Sequence, residues 1–488
     1  MTSPTTKNII LLLTATLFLY FSNGRFSFAP AAWLYPVFML QVSRKSSKIY
    51  SCLIIPLIVA VCSQLSFWKF TYDDPSNILF FLPFILGLLM GLLFFIDRLL
   101  YSKVNGFSST LIFPFLYTSF DFSLNLFNPF GTLGVLAYSQ HDFLCFSQLA
   151  SVTGIWGLTF MITWSAAVVY WVIDGYQRWQ NIRRGITIYL FILLSVLVYG
   201  SARLNIPLPY GTVRIAGIHT HDKNIEGKAM RECLDKQDST GFKRISDTII
   251  QRLIQATINE ANAGSRIIVW SEISPKILKK DEDSLFNVFK ALAKQQKIYL
   301  VATPFTIAAK GAKSENKIWL FSPKGSLLLK HYKYGGNFME GTVEGDKMIK
   351  AVSTEYGTLS AIICWDGDFP SIVKQVGQLN TDILFIPASD WKEIDPAHSI
   401  VSIYRGIENG CSVVRQTRNG LSIMTDARGK IIAQMDHFET HTWITVGQVP
   451  TKKRFTLYPM IGDLFGWFSF IGLACFILKD IYARIGNH

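Results

Sequence analysis

The sequence predicts a multi-span α-helical membrane region joined to an α/β domain held outside the cytoplasm. Half of the 488 residues are hydrophobic and 17% are charged, which is too apolar for an ordinary soluble protein. Mean hydropathy is +0.29. Long apolar runs fill residues 1–203 and return after 456, whereas 204–455 have the composition of a water-soluble domain. Short β-branched runs alternate with helical stretches in that middle part, as in α/β domains.

The membrane region contains eight candidate spans, and most are close to the ~20 residues that cross about 30 Å of hydrocarbon. They are residues 9–23, 29–42, 50–67, 78–96, 108–126, 147–173, 186–202 and 457–478. The second run contains Pro30 and Pro36, so a re-entrant or tilted segment is the alternative there. A cleaved signal peptide is the alternative for the first run, but that run ends without a small-x-small cleavage motif.

Basic residues orient the eight spans. With a cytoplasmic N-terminus, one side of the membrane carries only Arg25 and Lys69 in its short loops. The other side carries Lys7, Arg44, Lys45, Lys48, Arg98, Lys103, Arg178, Arg183, Arg184, Lys479 and Arg484. This asymmetry follows the positive-inside rule, so we expect residues 204–455 to lie outside the cytoplasm. We predict a membrane domain of about seven spans over 1–203, an α/β domain over 204–455, and a C-terminal helix with a cytoplasmic tail over 456–488.

The composition excludes several classes of protein. The net charge of +13 arises largely from the basic anchors of the inner loops, so we predict no nucleic-acid binding. Seven scattered cysteines without a CxxC pair argue against a disulfide framework and against a zinc site. Neither a metal nor an organic cofactor is expected.

The middle domain alternates predicted strands with predicted helices. The strand candidates are 213–219, 266–270, 298–304, 317–321, 327–331, 359–364, 382–387 and 411–416. The helix candidates are 244–262, 284–295, 369–379 and 398–408, where apolar residues recur at helical spacing. One layered α/β domain follows from this alternation.

Three ionisable residues come directly after predicted strands: Glu272, Lys333 and Cys364. In open α/β sheets, ligands collect at the carboxyl ends of strands. A thiol beside a carboxylate base and an ammonium group can attack an acyl carbon and form a thioester. Taken singly, each residue is more often a core thiol or a solvated charge. A Cys/His pair with His331 or His398 is an alternative that no spacing favours.

The motifs around these residues resemble the nitrilase, or carbon-nitrogen hydrolase, superfamily. Glu272 lies in VWSEISP, Lys333 in KHYKYGGNFME and Cys364 in AIICWDGDFP. The segments DILFIPASDW at 382–391 and VVRQTRNG at 413–420 extend the resemblance over about 212–450. It implies an αββα sandwich, a Glu272–Lys333–Cys364 triad, and Glu340 as the second glutamate after the lysine.

The arrangement of such a domain between seven spans and one span is similar to the apolipoprotein N-acyltransferase family of bacterial lipoprotein maturation. That similarity implies an enzyme of the bacterial inner membrane with a periplasmic catalytic domain. Its expected partners are the lipid bilayer, a phospholipid donor, typically phosphatidylethanolamine, and a diacylated lipoprotein acceptor. Cys364 would carry the acyl chain as a thioester to the N-terminal amine of the diacylglyceryl-cysteine.

Supporting site residues are Trp365, Asp366 and Trp391. Trp365 and Asp366 stand where that family usually has Tyr and Glu, and Trp391 is a candidate wall of an acyl pocket, with simple packing as its alternative. A membrane-anchored amidase, in which water resolves the thioester, and a non-enzymatic membrane scaffold are the alternative functions. Asp121 is a further candidate, because ionisable groups inside spans are costly and often functional.

Overall fold

The computed structural model describes residues 4–70, 77–175, 179–207, 211–220, 225–308 and 311–485. Arg178, one of the predicted basic anchors, lies outside these residues. The chain forms two compact units, Met1–Ile206 with Ile461–His488, and Pro207–Met460. The domain limits predicted from the sequence, 203/204 and 455/456, differ from these limits by a few residues.

The first unit is helical. Its helices are α1 Pro4–Tyr20, α2 Ala29–Lys45, α3 Ile55–Ser66, α4 Leu82–Tyr101, α5 Ile112–Phe127, α6 Leu144–Ser147, α7 Ala150–Thr153, α8 Ile155–Gly175, α9 Trp179–Asn205 and the C-terminal helix Leu464–Ile485. Within the described residues, four helical segments are long and apolar enough to cross a membrane: Leu79–Tyr101, Ile155–Gly175, Ile182–Asn205 and Leu464–Tyr482. The other four predicted spans also contain helices, but shorter ones, and their crossing of the bilayer stays a prediction.

Two predicted spans differ in detail from the observed helices. The run at 29–42 is one helix, because Pro30 lies in its first turn, where no backbone donor is needed, and Pro36 is accommodated inside it. The run at 147–173 is not continuous. Gly154 adopts φ +64° between the end of α7 and the start of α8, so the long helix begins only at Ile155.

The second unit contains sixteen strands among its described residues. They are β1 Thr212–Ile218, β2 Ile267–Trp270, β3 Lys276–Leu278, β4 Tyr299–Ala302, β5 Phe305–Ile307, β6 Glu315–Phe321, β7 Leu327–Tyr332, β8 Ala351–Thr354, β9 Gly357–Ala361, β10 Ile383–Phe385, β11 Ala388–Ser389, β12 Ser412–Arg415, β13 Thr417–Arg418, β14 Leu421–Thr425, β15 Ile431–Asp436 and β16 Ile444–Pro450. The helices of this unit are α10 Glu226–Asp235, α11 Ser239–Asn262, α12 Glu282–Gln296, α13 Asn337–Glu340, α14 Pro370–Gln378, α15 Ala397–Asn409 and α16 Tyr458–Ile461.

The long strands form two sheets. The first has the order β16-β1-β2-β4-β6-β5-β3, with β7 also paired to β6, and the second has the order β15-β14-β12-β10-β9-β8. Strands β1, β2 and β4 are parallel in the first sheet, as are β9, β10 and β12 in the second. The carboxyl ends of β2, β9 and β10 therefore become available to position functional side chains.

Side-chain alternation along the strands explains the layers. Ile267 and Val269 of β2 join the apolar core that also contains Phe385 of the second sheet, whereas Ile268 and Trp270 face the core shared with α11 and α12. On the second sheet, α14 packs against residues of β10 and β12. The order helix, sheet, sheet, helix confirms the predicted αββα fold class.

Candidate active site

Cys364 sits in a sharp turn at the end of the strand β9. The buried residues Ile362 and Ile363 lead into a 3₁₀ turn, Cys364–Asp368, in which Cys364 has φ +45°. A positive φ is uncommon for a residue with a Cβ and often marks a functional site. The backbone N–H of Cys364 donates to the carbonyl of Pro387 at 2.9 Å. Because the residue is only 4% exposed, the turn and this bond fix the position of the thiol.

The Cys364 thiol faces a buried charge cluster built on Asp390. Its Sγ lies 3.9 Å from the carbonyl oxygen of Ser389 and 3.9 Å from Oδ1 of Asp390. The Arg415 guanidinium donates to both Asp390 oxygens at 2.9 Å, and His398 Nδ1 lies 3.1 Å from Oδ1. Burial opposes ionisation of Asp390, but Arg415 and His398 outweigh it and lower its pKa to about 2. Asp390 is therefore a permanent anion beside the thiol.

Lys333 and Glu272 form a buried ion pair at the edge of the first sheet. Lys333 follows β7, Glu272 comes two residues after β2, and their side chains are only 2% and 1% exposed. Lys333 Nζ donates to Glu272 Oε1 at 2.9 Å, and Asn316 Nδ2 donates to the same oxygen at 2.7 Å. Glu272 Oε2 has no hydrogen-bond partner within the described part of the chain. One carboxylate oxygen is thus held in place while the other stays available to a reacting group.

Glu340, in the short helix α13, supplies a second carboxylate to Lys333. Its side chain is 30% exposed, and Oε1 accepts a hydrogen bond from Lys333 Nζ. Burial raises the pKa of Glu340; the lysine counteracts this rise and the negative charge of Glu272 adds to it. Lys333 therefore lies between two carboxylates, those of Glu272 and Glu340.

The resting thiol and the lysine are both protonated. Burial, reinforced by the charge of Glu272, raises the pKa of the Cys364 thiol well above its usual range, and Lys333 only partly opposes this. Burial alone would lower the pKa of Lys333, but Glu272, Glu340 and Cys364 raise it well above its ordinary value. The thiol needs a base before it can act as a nucleophile, and the lysine remains a cation throughout.

Asp366 ties the Lys333 loop to the Cys364 turn. Its carboxylate accepts hydrogen bonds from the backbone N–H groups of Tyr334 at 3.0 Å, Gly335 at 2.7 Å and Ile363 at 2.9 Å. His331 Nε2 lies 2.8 Å from its Oδ2. A Cβ at Gly335 would lie 2.7 Å from the backbone carbon of Trp365, so only glycine fits this crossing. Hydrogen bonds of Asp366 therefore connect the loop after Lys333 with the turn that begins at Cys364.

The two histidines proposed as alternative partners of the thiol are placed differently. His331 contacts Asp366, and no contact with Cys364 is described for it. His398 lies between Asp390 and Asp368, 3.2 Å from the Asp368 carboxylate. Trp365 and Trp391 both pack against the His398 ring, with ring centroids 5.8 and 6.2 Å away. These contacts place Trp391 beside the site, and its role as the wall of an acyl pocket stays a prediction.

Cys364, Asp390 and His398 also offer three possible metal-binding atoms within 4.8 Å of one another. Arg415, however, binds both oxygens of Asp390, and its guanidinium occupies the positions from which a cation would approach this carboxylate. The donor set fits an ion-pair network better than a metal centre.

Several site residues were missed by sequence reasoning. Asn316 donates a hydrogen bond to Glu272, while Asp390 and Arg415 form an ion pair beside the thiol. The only available signal was that Asp390 and Arg415 fall within the DILFIPASDW and VVRQTRNG segments. Nothing in the pattern around Asn316, inside strand β6, distinguished it from an ordinary strand residue.

Both parts of the chain match known protein families. The family described as Carbon-nitrogen hydrolase matches residues 247–451. The family described as Apolipoprotein N-acyltransferase N-terminal domain matches residues 15–168, and the two matches together span most of the chain. The chain belongs to the apolipoprotein N-acyltransferase family.

Individual relatives share this organisation at low identity. The apolipoprotein N-acyltransferase of Geobacter metallireducens is 24% identical over 402 residues, which cover 76% of this chain and 74% of the relative. The apolipoprotein N-acyltransferase 2 of Treponema denticola is 24% identical over 69% of each chain. A solved carbon-nitrogen hydrolase from Helicobacter pylori G27 aligns with 49% of this chain and 89% of its own at 17% identity, with a TM-score of 0.38.

Proposed function

We propose that this membrane enzyme is a phospholipid:apolipoprotein N-acyltransferase. It would move an acyl chain through a Cys364 thioester to the N-terminal amine of a diacylglyceryl-cysteine lipoprotein. The observation that supports this most is the buried Glu272–Lys333 pair in the same site as the strained Cys364, in a chain that also carries the family's N-terminal domain. Glu272, Lys333 and Cys364 are the proposed catalytic residues.

In the first half-reaction, Glu272 takes the proton of the Cys364 thiol and the sulfur attacks the ester carbonyl of the phospholipid. A carbon–sulfur bond forms, and the negative charge that develops on the carbonyl oxygen is stabilised by the Lys333 ammonium. The carbon–oxygen ester bond then breaks, and the proton held by Glu272 passes to the leaving glycerol oxygen. The products are a lysophospholipid and the acyl thioester.

In the second half-reaction, the lipoprotein amine attacks the thioester carbon. A carbon–nitrogen bond forms, the carbon–sulfur bond breaks, and Glu272 relays the amine proton to the departing sulfur. Lys333 again faces the oxyanion. Glu340 keeps the ammonium in place, while Asp366 and Trp365 hold the turn that presents the sulfur.

Intact-mass measurement of the purified protein tests this function. After incubation with phosphatidylethanolamine, we expect a mass increase of one acyl chain that neutral hydroxylamine removes. Cys364→Ala should abolish this increase, whereas Cys411→Ala, which alters another buried thiol of the same unit, should retain it. Adding a diacylated lipopeptide should transfer the acyl chain to its amine. A labile adduct that persists in Cys364→Ala would overturn the assignment of the nucleophile.

The same assay separates the acyltransferase from a membrane-anchored amidase. Both require the thioester, but the amidase resolves it with water. Release of free fatty acid with no N-acylated lipopeptide would contradict the acyltransferase proposal. Asp366 accepts hydrogen bonds from three backbone N–H groups and contacts His331, so we assign it a structural role. An Asp where the family usually has Glu therefore does not by itself favour water as the acceptor.

For location, we propose the bacterial inner membrane, with residues 204–455 on the periplasmic side, 1–203 as the membrane domain and 456–488 as the final span with its tail. The asymmetry of basic residues supports this orientation. Alkaline phosphatase fused after Gly264, in the exposed turn that follows α11, should be active, and a fusion after Lys103 should be inactive. The reverse pattern would invert the topology.

A further inference from the structure

The helical unit contains a cavity that the proposed chemistry does not use. It has a volume of about 120 Å³ and is lined by α1, α3, α4, α5 and the loop that follows α5. Its walls are mainly apolar. They include Leu19, Phe67, Leu86, Phe120, Leu124 and Phe130. Such a wall suits a hydrocarbon chain.

The cavity is not the result of loose helix packing. A Cβ at Gly87, one of the lining residues, would lie 2.7 Å from the Cα of Ala60, and one at Gly91 would lie 2.4 Å from the Cα of Pro56. The helices α3 and α4 therefore approach each other closely beside the open space. Because these helices pack closely beside it, the cavity is a defined feature of the fold and not a gap between loosely packed helices.

Asp121 on α5 lines the cavity although it is only 5% exposed. The backbone N–H of Leu136 and the side chain of Thr159 lie next to its carboxyl group. Its Oδ2 nevertheless has no hydrogen-bond partner among the residues that the structure describes. An unpaired buried carboxylate inside a membrane segment is costly, and this cost points to a donor that arrives with a ligand.

Four polar neighbours in the cavity have hydrogen-bond partners other than Asp121. Tyr117 donates to Met90 Sδ at 3.0 Å, and its hydroxyl is paired with that of Tyr35 at 3.0 Å. Ser22 donates to the carbonyl of Leu19 at 2.8 Å, and Ser66 donates to that of Tyr20 at 3.2 Å. No lysine or arginine is among the lining residues of the described cavity. The site thus presents an acceptor to its occupant and no cation to bind a phosphate.

We propose that this cavity binds the primary ammonium group of an amphiphile, with Asp121 as the anchor and the apolar wall around the hydrocarbon chain. A charge-assisted N–H to carboxylate bond satisfies Oδ2 and is stronger than a neutral hydrogen bond. If the proposed function holds, two of its substrates carry such an amine: the ethanolamine headgroup and the N-terminus of the diacylated lipoprotein. The identity of these two sources rests on that function, whereas the preference for an amine rests on the cavity alone.

The test is lipid binding by the full-length Cys364→Ala protein, which cannot form the thioester, measured by native mass spectrometry. Phosphatidylethanolamine is compared with its N-methyl, N,N-dimethyl and N,N,N-trimethyl forms carrying the same acyl chains. A second comparison uses a diacylated lipopeptide with a free or an acetylated amine. We expect at least a tenfold loss of binding on full methylation or on acetylation. Equal binding of all members of both series would overturn the proposal. This outcome can be obtained without a substitution in the cavity.

Substitutions then locate the preference. Asp121→Asn should remove the tenfold discrimination, and Asp121→Glu should restore part of it. Asp142→Asn is the matched control, because Asp142 lies in the same unit with a side chain 84% exposed. If the Asp121→Asn protein still discriminates between amines and their methylated or acetylated forms, the amine is bound at another site and the proposal is wrong. Amine-selective binding with no thioester in the active protein would contradict the proposed function and leave this inference standing.

Discussion

At the residue level, the Glu272 carboxylate has two opposite effects on the Cys364 thiol. Its charge raises the pKa of the thiol, yet the proposed mechanism needs it to remove the thiol proton. In Glu272→Gln, thioester formation should fall by about 10²- to 10⁴-fold, the usual contribution of a general base. The thiol itself should ionise at lower pH. Peptide-resolved iodoacetamide labelling of Cys364 against pH measures that second effect.

Cys411 is the internal control for this labelling, since burial raises its pKa to about 12 independently of Glu272. Its labelling profile should be unchanged in Glu272→Gln. If thioester formation in the variant kept the wild-type rate, Glu272 would not be the base.

Asp390 makes the stability of the folded protein depend on pH in the acidic range. Its pKa is about 2 in the folded protein and about 3.9 in an unfolded chain. A depressed pKa stabilises the folded state fully above about pH 4, and this contribution, about 2 kcal/mol, is lost as the pH falls toward 2. Asp390→Asn should melt earlier than wild type at pH 7, because Arg415 loses its buried partner, and should lose less of its remaining stability between pH 5 and 2.

Thermal unfolding followed by tryptophan fluorescence at several pH values measures both the stability at pH 7 and its loss between pH 5 and 2. The exposed-acid variant Asp142→Asn should keep the slope of the wild-type protein. Equal acid slopes in Asp390→Asn and wild type would show that Asp390 does not carry the dependence.

At the level of elements, the contact between the Lys333 loop and the Cys364 turn requires a glycine. In Gly335→Ala the new methyl group would lie 2.7 Å from the backbone carbon of Trp365, so one of the two segments must move. A displacement of about 1 Å in a positioned site can reduce a rate about 10²-fold. We therefore expect Gly335→Ala to reduce thioester formation by a similar factor with a smaller effect on stability.

Gly367→Ala is the matched control. It lies in the Cys364 turn, and a Cβ there would meet no atom within 4 Å. It should retain most of the activity. Similar losses in the two variants would mean that the crossing at Gly335 is not what positions the site.

At the level of the whole molecule, the C-terminal helix completes the helical unit although about 340 residues separate it from α5 in the chain. Cβ atoms at Gly466 and Gly472 would lie 2.7 Å from the Phe122 ring and 2.4 Å from the Phe115 ring. Small residues allow such close packing of membrane helices. Gly472→Leu should therefore lower the melting temperature of the purified protein and the fraction recovered as a single species.

Ile471→Leu serves as the control for this helix, because Ile471 is 63% exposed. It should behave like wild type. A Gly472→Leu protein that is equally stable would indicate that the last helix contributes little to the unit.

The sequence by itself determined the division into helical and α/β parts, because hydropathy and side-chain periodicity are local properties that follow directly from composition. The predicted strands at 213–219, 266–270, 317–321 and 327–331 and the helix at 244–262 are confirmed within a few residues. Short strands such as β3, β5 and β11 were missed, since two or three residues carry no detectable periodicity.

Only the tertiary structure decided which polar groups meet. Glu272 and Asn316 are 44 residues apart, Lys333 and Glu272 are 61 apart, and their hydrogen bonds depend on strand order in the first sheet. In the structure, Asp366, which was predicted as a supporting residue, links two loops. Asp121 lines a cavity. Burial sets the charge and the partners of each of these groups, and burial results from contacts between segments that are distant in the sequence.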